Sequence, residues 1–151
     1  MAWWNRLGMG IRVDATARAL AIETFEWATV LGGDVLITQI IGRFTVIVNA
    51  LTNVSLQYTP DVGTATPGAL CTVTDDNGFD VGETVTITGV PANALYPAAG
   101  AGVGVVPGMT VGLIVPAGGV ESISSAAPGT GTILWSLWYI PLDDAAYVVG
   151  V

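Results

Sequence analysis

Hydrophobic and polar positions alternate with a period of two along much of this chain, and the run TILWSLWYIPLDD, from Thr132 to Asp144, carries the pattern most strongly. Read as a strand, it points Ile133, Trp135, Leu137 and Tyr139 one way and Leu134, Ser136, Trp138 and Ile140 the other. Both sets are largely apolar. One face can close the core of the domain itself, so the other needs a second sheet, another subunit or a partner surface.

The same period recurs upstream. Leu20, Ile22 and Thr24 alternate with Ala21, Glu23 and Phe25, which predicts a strand over about residues 19–29, although a helical turn around DATARAL is also allowed. Gly32, Gly33 and Asp34 then make a turn, and DVLITQIIG reads as the returning strand of a hairpin. RFTVIVNA, NVSLQYTP and ALCTVT continue in β-branched and aromatic residues that suit a pleated surface. TVTITGV has the alternation of a half-exposed strand, and MTVGLIVP and VESISS follow before the strand at residue 132. TPDVGTATPG, DDNGFDVGE and APGTG supply turn chemistry between them. The expectation is eight or nine strands without a long helix: an all-β, antiparallel β-sandwich or jelly-roll-like domain over residues 15–151, preceded by an extended N-terminal arm, residues 1–14.

Composition sharpens the question of partners. Of the 151 residues 52% are hydrophobic and only 11% charged, too little charge to cover the whole surface of one domain. Assembly with other chains is the default expectation. The net charge is −8, there is no Lys, and Arg6, Arg12, Arg18 and Arg43 balance Asp14, Glu23, Glu26 and Asp34 through residue 43. The whole excess of acid therefore falls in residues 44–151. Phosphate neutralisation needs clustered Lys and Arg, so nucleic acid is not an expected partner.

A membrane is not an expected partner either. The charge-free run over residues 84–120 is broken by prolines and glycines, which predict loops and short strands rather than a spanning helix. MAWWNRLGMG lacks the layout of a signal peptide, because its Arg6 follows the apolar residues. Cys71, the single cysteine, has no intrachain disulfide partner and reads as a small buried hydrophobe.

Catalytic chemistry finds little support. With neither His nor Lys in these residues, Ser-His-Asp and Cys-His arrangements and Schiff bases are excluded. Asp143 and Asp144 are adjacent on a strand end and point apart, unlike the separated carboxylates of a glycoside hydrolase. Asp75, Asp76, Asn77, Asp80 and Glu83 are hard oxygen ligands, but their spacing is not that of an EF-hand loop, and a turn is the better reading. GAGVGVV, residues 100–106, lacks the third glycine of a dinucleotide loop. No enzymatic activity, cofactor or metal is expected.

In the arm, Trp3 and Trp4 would be costly to leave in water at the end of a monomer, so they are expected to insert into a pocket of the same or a neighbouring chain. Arg6 and Arg12 make the arm the candidate docking element, and Trp135, Trp138 and Tyr139 join it as candidate interface residues.

Three stretches, GGDVLITQIIGRFTV, GTATPGALCTVTDD and GTILWSLWYIPLDDAAYVVGV, resemble small all-β structural proteins of tailed bacteriophages, of the capsid decoration or cement kind. Trp135, Leu137, Tyr139, Pro141, Leu142, Asp143 and Asp144 carry the likeness: an aromatic and aliphatic strand running into a Pro-Leu-Asp-Asp turn and a short apolar tail. The resemblance implies a non-enzymatic virion protein, made in the host cytoplasm, that forms a homo-oligomer, a trimer in many such proteins. Its implied partner is the major capsid protein at the outer shell. A tail, fibre or host-surface adhesion module is the alternative.

Overall fold

The structure, a computed structural model, describes residues 9–50, 52–64, 66–75, 78–96, 106–126 and 130–151. These residues form twelve strands: β1 Ile11–Asp14, β2 Arg18–Ala19, β3 Glu23–Leu31, β4 Val35–Val46, β5 Asn53–Pro60, β6 Gly68–Ala69, β7 Thr74–Asp75, β8 Thr84–Thr86, β9 Leu113–Val115, β10 Gly118–Ser124, β11 Thr132–Pro141 and β12 Tyr147–Gly150. They make two six-stranded sheets. The first runs β1-β11-β4-β8, with β2 also on β11 and β9 also on β4; the second runs β12-β3-β10-β5-β6, with β7 also on β5. Every pairing between these strands is antiparallel. The fold is the predicted β-sandwich.

The central pair of the first sheet is β4 with β11, in register from Thr132↔Val46 to Pro141↔Val35 with two bulges. Ile133, Trp135, Leu137 and Tyr139 of β11 are buried, as are Ile37, Ile40 and Phe44 of β4. Opposite them the second sheet supplies Trp27, Val30, Leu56, Tyr58 and Val120. Two aromatic stacks anchor the core: Trp27 on Trp135, with ring centroids 5.6 Å apart, and Phe44 on Phe79, at 4.8 Å. Trp135 lies over Gly42, its cross-strand partner, where a Cβ would stand 2.6 Å from a ring carbon.

Several elements differ from the sequence reading. The strand expected over residues 19–29 begins later, at Glu23, and Arg18–Ala19 forms a separate short strand on the other sheet. The turn at Gly32, Gly33 and Asp34 is not a hairpin: β3 pairs with β10 and β12, and β4 with β11, so the chain crosses here from one sheet to the other. Gly32 and Gly33 take positive φ at this corner, and Asp143 Oδ2 accepts the Asp34 N–H at 2.7 Å. DVLITQIIG and RFTV are one continuous strand rather than two, while ALCTVT is interrupted between β6 and β7.

TVTITGV is not half-exposed. Thr84, Val85, Thr86 and Ile87 are all buried, because neighbouring loop residues fold over β8: Thr86 exchanges backbone hydrogen bonds with Tyr96, and Thr110 N–H donates to Thr88 O. Residues 11–14, placed in the arm by the sequence, instead form β1 and pair with β11. No helix among the described residues is long and apolar enough to cross a membrane.

Candidate interaction surface

The two faces of β11 have different fates. The face carrying Trp135 and Tyr139 is spent inside the protomer; both side chains are at most 4% exposed and cannot meet a partner without unfolding. That corrects their assignment as interface residues, for a simple reason: period two shows that two faces exist without showing which one turns inward. The outward face carries Leu134, Ser136, Trp138 and Ile140, as expected.

Around Trp138 the register builds a mixed surface. Arg12 and Asp14 of β1 stand opposite Trp138 and Ser136, and Gln39, Ile41 and Arg43 of β4 stand opposite Trp138, Ser136 and Leu134. The Arg12 guanidinium lies 5.2 Å from the centre of the Trp138 ring, a cation–π contact, and its Nε is 2.8 Å from Asp14 Oδ1. Ser136 Oγ donates to the same carboxylate at 2.5 Å. Burial would raise the Asp14 pKa, but the hydrogen bonds from Ser136 and Arg12 and the charges of Arg12 and Arg43 outweigh it and hold the carboxyl below its usual range. Arg43 is exposed and makes no salt bridge among the described residues.

Part of this outer face is already covered. Gln39 is buried under residues 106–112: its Nε2 donates to Thr86 Oγ1 at 2.6 Å and to Ile40 O at 3.0 Å, and its Oε1 accepts Met109 N–H at 2.7 Å. Such a satisfied buried network fixes the loop to the sheet. Nothing in the sequence pattern marked Gln39, since two of its three partners lie 47 and 70 residues away. Beyond the loop, Ile140 and Leu142 remain exposed, and Ile114 of β9 more so at 68%.

Strand-borne charge separates by sheet. The strands of the first sheet carry Arg12, Arg18 and Arg43 against Asp14 alone; those of the second carry Glu23, Glu26, Asp75 and Glu121 and no cation. Arg18 is engaged at the flank, bonded to Glu23 at 2.8 and 3.0 Å and lying over Phe25 at 3.8 Å. Arg12 and Arg43 thus form the cationic part of the first sheet's outer face.

The other candidates resolve into local structure. Asp143 serves the corner described above. The Glu83 carboxylate turns inward and accepts the Asp80 N–H at 2.7 Å. Among the described residues no cluster of three or more His, Cys, Asp or Glu side chains could hold a metal. Cys71 is buried, with the Leu56 N–H directed at its Sγ from 3.2 Å. Trp3, Trp4, Arg6, Asp76, Asn77 and residues 100–105 of the glycine-rich segment lie outside the described residues. Compared with protein-family models, with curated proteins and with solved structures, the chain shows no match.

Proposed function

We propose that this chain is a structural protein of a tailed-bacteriophage particle: a decoration protein that self-associates, as a trimer, and binds the outer shell built by the major capsid protein. The observation that carries this reading is the outer face of the first sheet, where Leu134, Trp138 and Ile140 stand beside Arg12 and Arg43 on a chain that is otherwise strongly acidic. Tryptophan and arginine, side by side here on the outer face of a sheet, are residue types enriched in protein interfaces. The resemblance of residues 131–151 to phage decoration proteins supports the same partner. In this mechanism each copy bridges neighbouring shell subunits, and the added interface, on the order of 1,000 Å² or more, resists expansion of the shell.

The test is co-sedimentation of the purified protein with shells that lack it, alongside its mass by light scattering. A trimer that sediments with shells is expected, and the pair Arg12→Glu and Arg43→Glu should weaken shell binding at least about tenfold, roughly 1.4 kcal/mol. Removal of residues 2–8 measures the arm's share separately. A monomer that ignores shells rejects this reading in favour of a tail or adhesion role.

A further inference from the structure

Before it enters β1, the chain crosses β11. Gly10, at positive φ, packs on the β11 backbone so closely that a Cβ would stand 2.1 Å from Tyr139 O and 2.9 Å from Ile140 Cγ1. One residue earlier, Met9 O accepts a hydrogen bond from Thr38 Oγ1 of β4, the strand on the far side of β11. Ile140 belongs to the outward set of β11, so this crossing lies on the outer face of the first sheet. It borders an apolar groove of about 280 Å³, lined by Gly10, Ile11, Tyr139, Ile140 and Pro141. From Ile140 the apolar surface continues across the strands: Ile140 stands opposite Leu36, and Leu36 opposite the exposed Ile114. At a strand spacing of about 4.8 Å, these three side chains make a row roughly 10 Å long.

Residues 1–8 have the composition and the reach to cover this surface. Trp3, Trp4 and Leu7 are apolar, and Arg6 is the one charged side chain of the segment. The corner just past Pro141 carries Asp34, Asp143 and Asp144 and no cation. Trp4 is five residues from Met9, whose hydrogen bond to Thr38 fixes it at the margin of the groove, and an extended chain of five residues reaches about 17 Å, farther than the row is long. So short a tether holds the arm at its own groove at a roughly millimolar effective concentration, which favours it over the arm of a second copy.

We propose that residues 1–8 of the same chain dock on this surface, with one indole of the Trp3-Trp4 pair filling the groove against Ile140 and with Arg6 turned to the acidic corner. Successive residues of an extended segment point opposite ways, so one indole faces the sheet and the other faces outward. Burial of the inward ring removes an apolar surface from water on both sides of the contact. Leu134, Trp138, Arg12 and Arg43 are not part of the groove or of the row, so the arrangement does not depend on the function proposed above.

Methyl NMR of the full chain tests the docking, with the Ile140 signal assigned by Ile140→Val. Expected are cross-peaks from the Ile140 methyl to one arm indole, and a downfield move of that methyl in one of the variants Trp3→Ala and Trp4→Ala but not in the other. Both substitutions lie outside the sandwich core, so the variants keep the fold in which the signal is read. In oligomers refolded from a mixture of copies labelled only at tryptophan and copies labelled only at isoleucine, the cross-peaks should vanish. Cross-peaks that persist in the mixture would assign the groove to a neighbouring copy's arm and overturn docking within one chain. An Ile140 signal identical in the wild type and both variants would overturn the groove as the seat of the arm.

Discussion

Tyr58 shows how one side chain sets the behaviour of its sheet at high pH. Its ring is buried against Val120, its hydroxyl donates to Pro116 O, and burial, followed by the charges of Asp61, Glu26 and Asp34, pushes the phenol pKa well above 10. A pKa raised on folding contributes stability that is complete below the unfolded value near 10 and is lost as pH climbs toward the folded one. Tyr58→Phe should therefore cost about 1 kcal/mol at neutral pH through the lost hydrogen bond. It should also lessen the decline in stability expected of the wild type above pH 10. Urea unfolding at pH 7 and in the alkaline range measures both effects, and parallel curves for the two proteins would contradict the assignment.

Asp14 works in the opposite direction. Its pKa is lowered on folding, so its contribution is present above the ordinary value of 3.8 and fades as pH falls through the folded one. Asp14→Asn should flatten the acid limb of the stability curve below about pH 4, while Ser136 keeps an acceptor. Because the Arg12–Asp14 pair is about half exposed, the change at neutral pH should stay within about 1 kcal/mol.

At the level of elements, β4 and β11 form the spine of the first sheet, and their close packing depends on one small residue. At Gly42, a Cβ would meet the Trp135 ring at 2.6 Å and Ile133 Cδ1 at 2.8 Å. Gly42→Ala should destabilise the protein by about 1–3 kcal/mol, since an overpacked core must shift either a ring or a strand. In the second sheet, Glu26 and Glu121 face each other across β3 and β10 without a cation on either strand. Gln57 and Thr59 donate to Glu121, whereas among the described residues Glu26 accepts a side-chain hydrogen bond from Thr29 alone. Glu26→Gln keeps that acceptor and removes the like-charge pair, so a gain of about 0.5 kcal/mol is expected, read as a higher denaturation midpoint.

These elements also show what alternation can and cannot convey. The inner face of β11 is legible because bulky apolar residues recur at every second position, and NVSLQYTP folds as β5 with the bounds its pattern suggested. The corner at residues 32–34 is not legible in the same way. Gly-Gly-Asp specifies a reversal, but the choice between a hairpin and a change of sheet lies with distant strands, since β3 pairs with β10 and β12 and β4 with β11, and Asp143, more than a hundred residues away, accepts the Asp34 N–H at the corner. Thr86 looks half-exposed in sequence for a similar reason: a hydroxyl bonded to Gln39 and Ile40 of a distant strand is indistinguishable from a hydroxyl in water until that strand is placed. Trp138 and Arg12 were candidates individually, yet only the β1–β11 register makes them a pair.

Across the whole molecule, the charge carried on strands divides between the two sheets. The first presents Arg12 and Arg43; the second presents carboxylates. Two like copies carrying a net charge of −8 repel when their acidic sides approach, so approach through the first sheet is electrostatically preferred. The same asymmetry gives shell binding a salt dependence that folding stability should lack. Exposed charges are screened beyond about 10 Å at 0.1 M salt and beyond about 3 Å at 1 M, while the apolar contacts that hold the sandwich together are not screened. Raising salt from about 0.05 to about 0.5 M should therefore weaken co-sedimentation of the wild type with shells while leaving its unfolding midpoint nearly unchanged. Arg43→Gln should show weaker binding and a shallower salt response, because Arg43 has no carboxylate bonded to it within the described chain and its charge is available to a partner. Equal salt responses in the two proteins would mean that the contact is made elsewhere than on the first sheet's outer face.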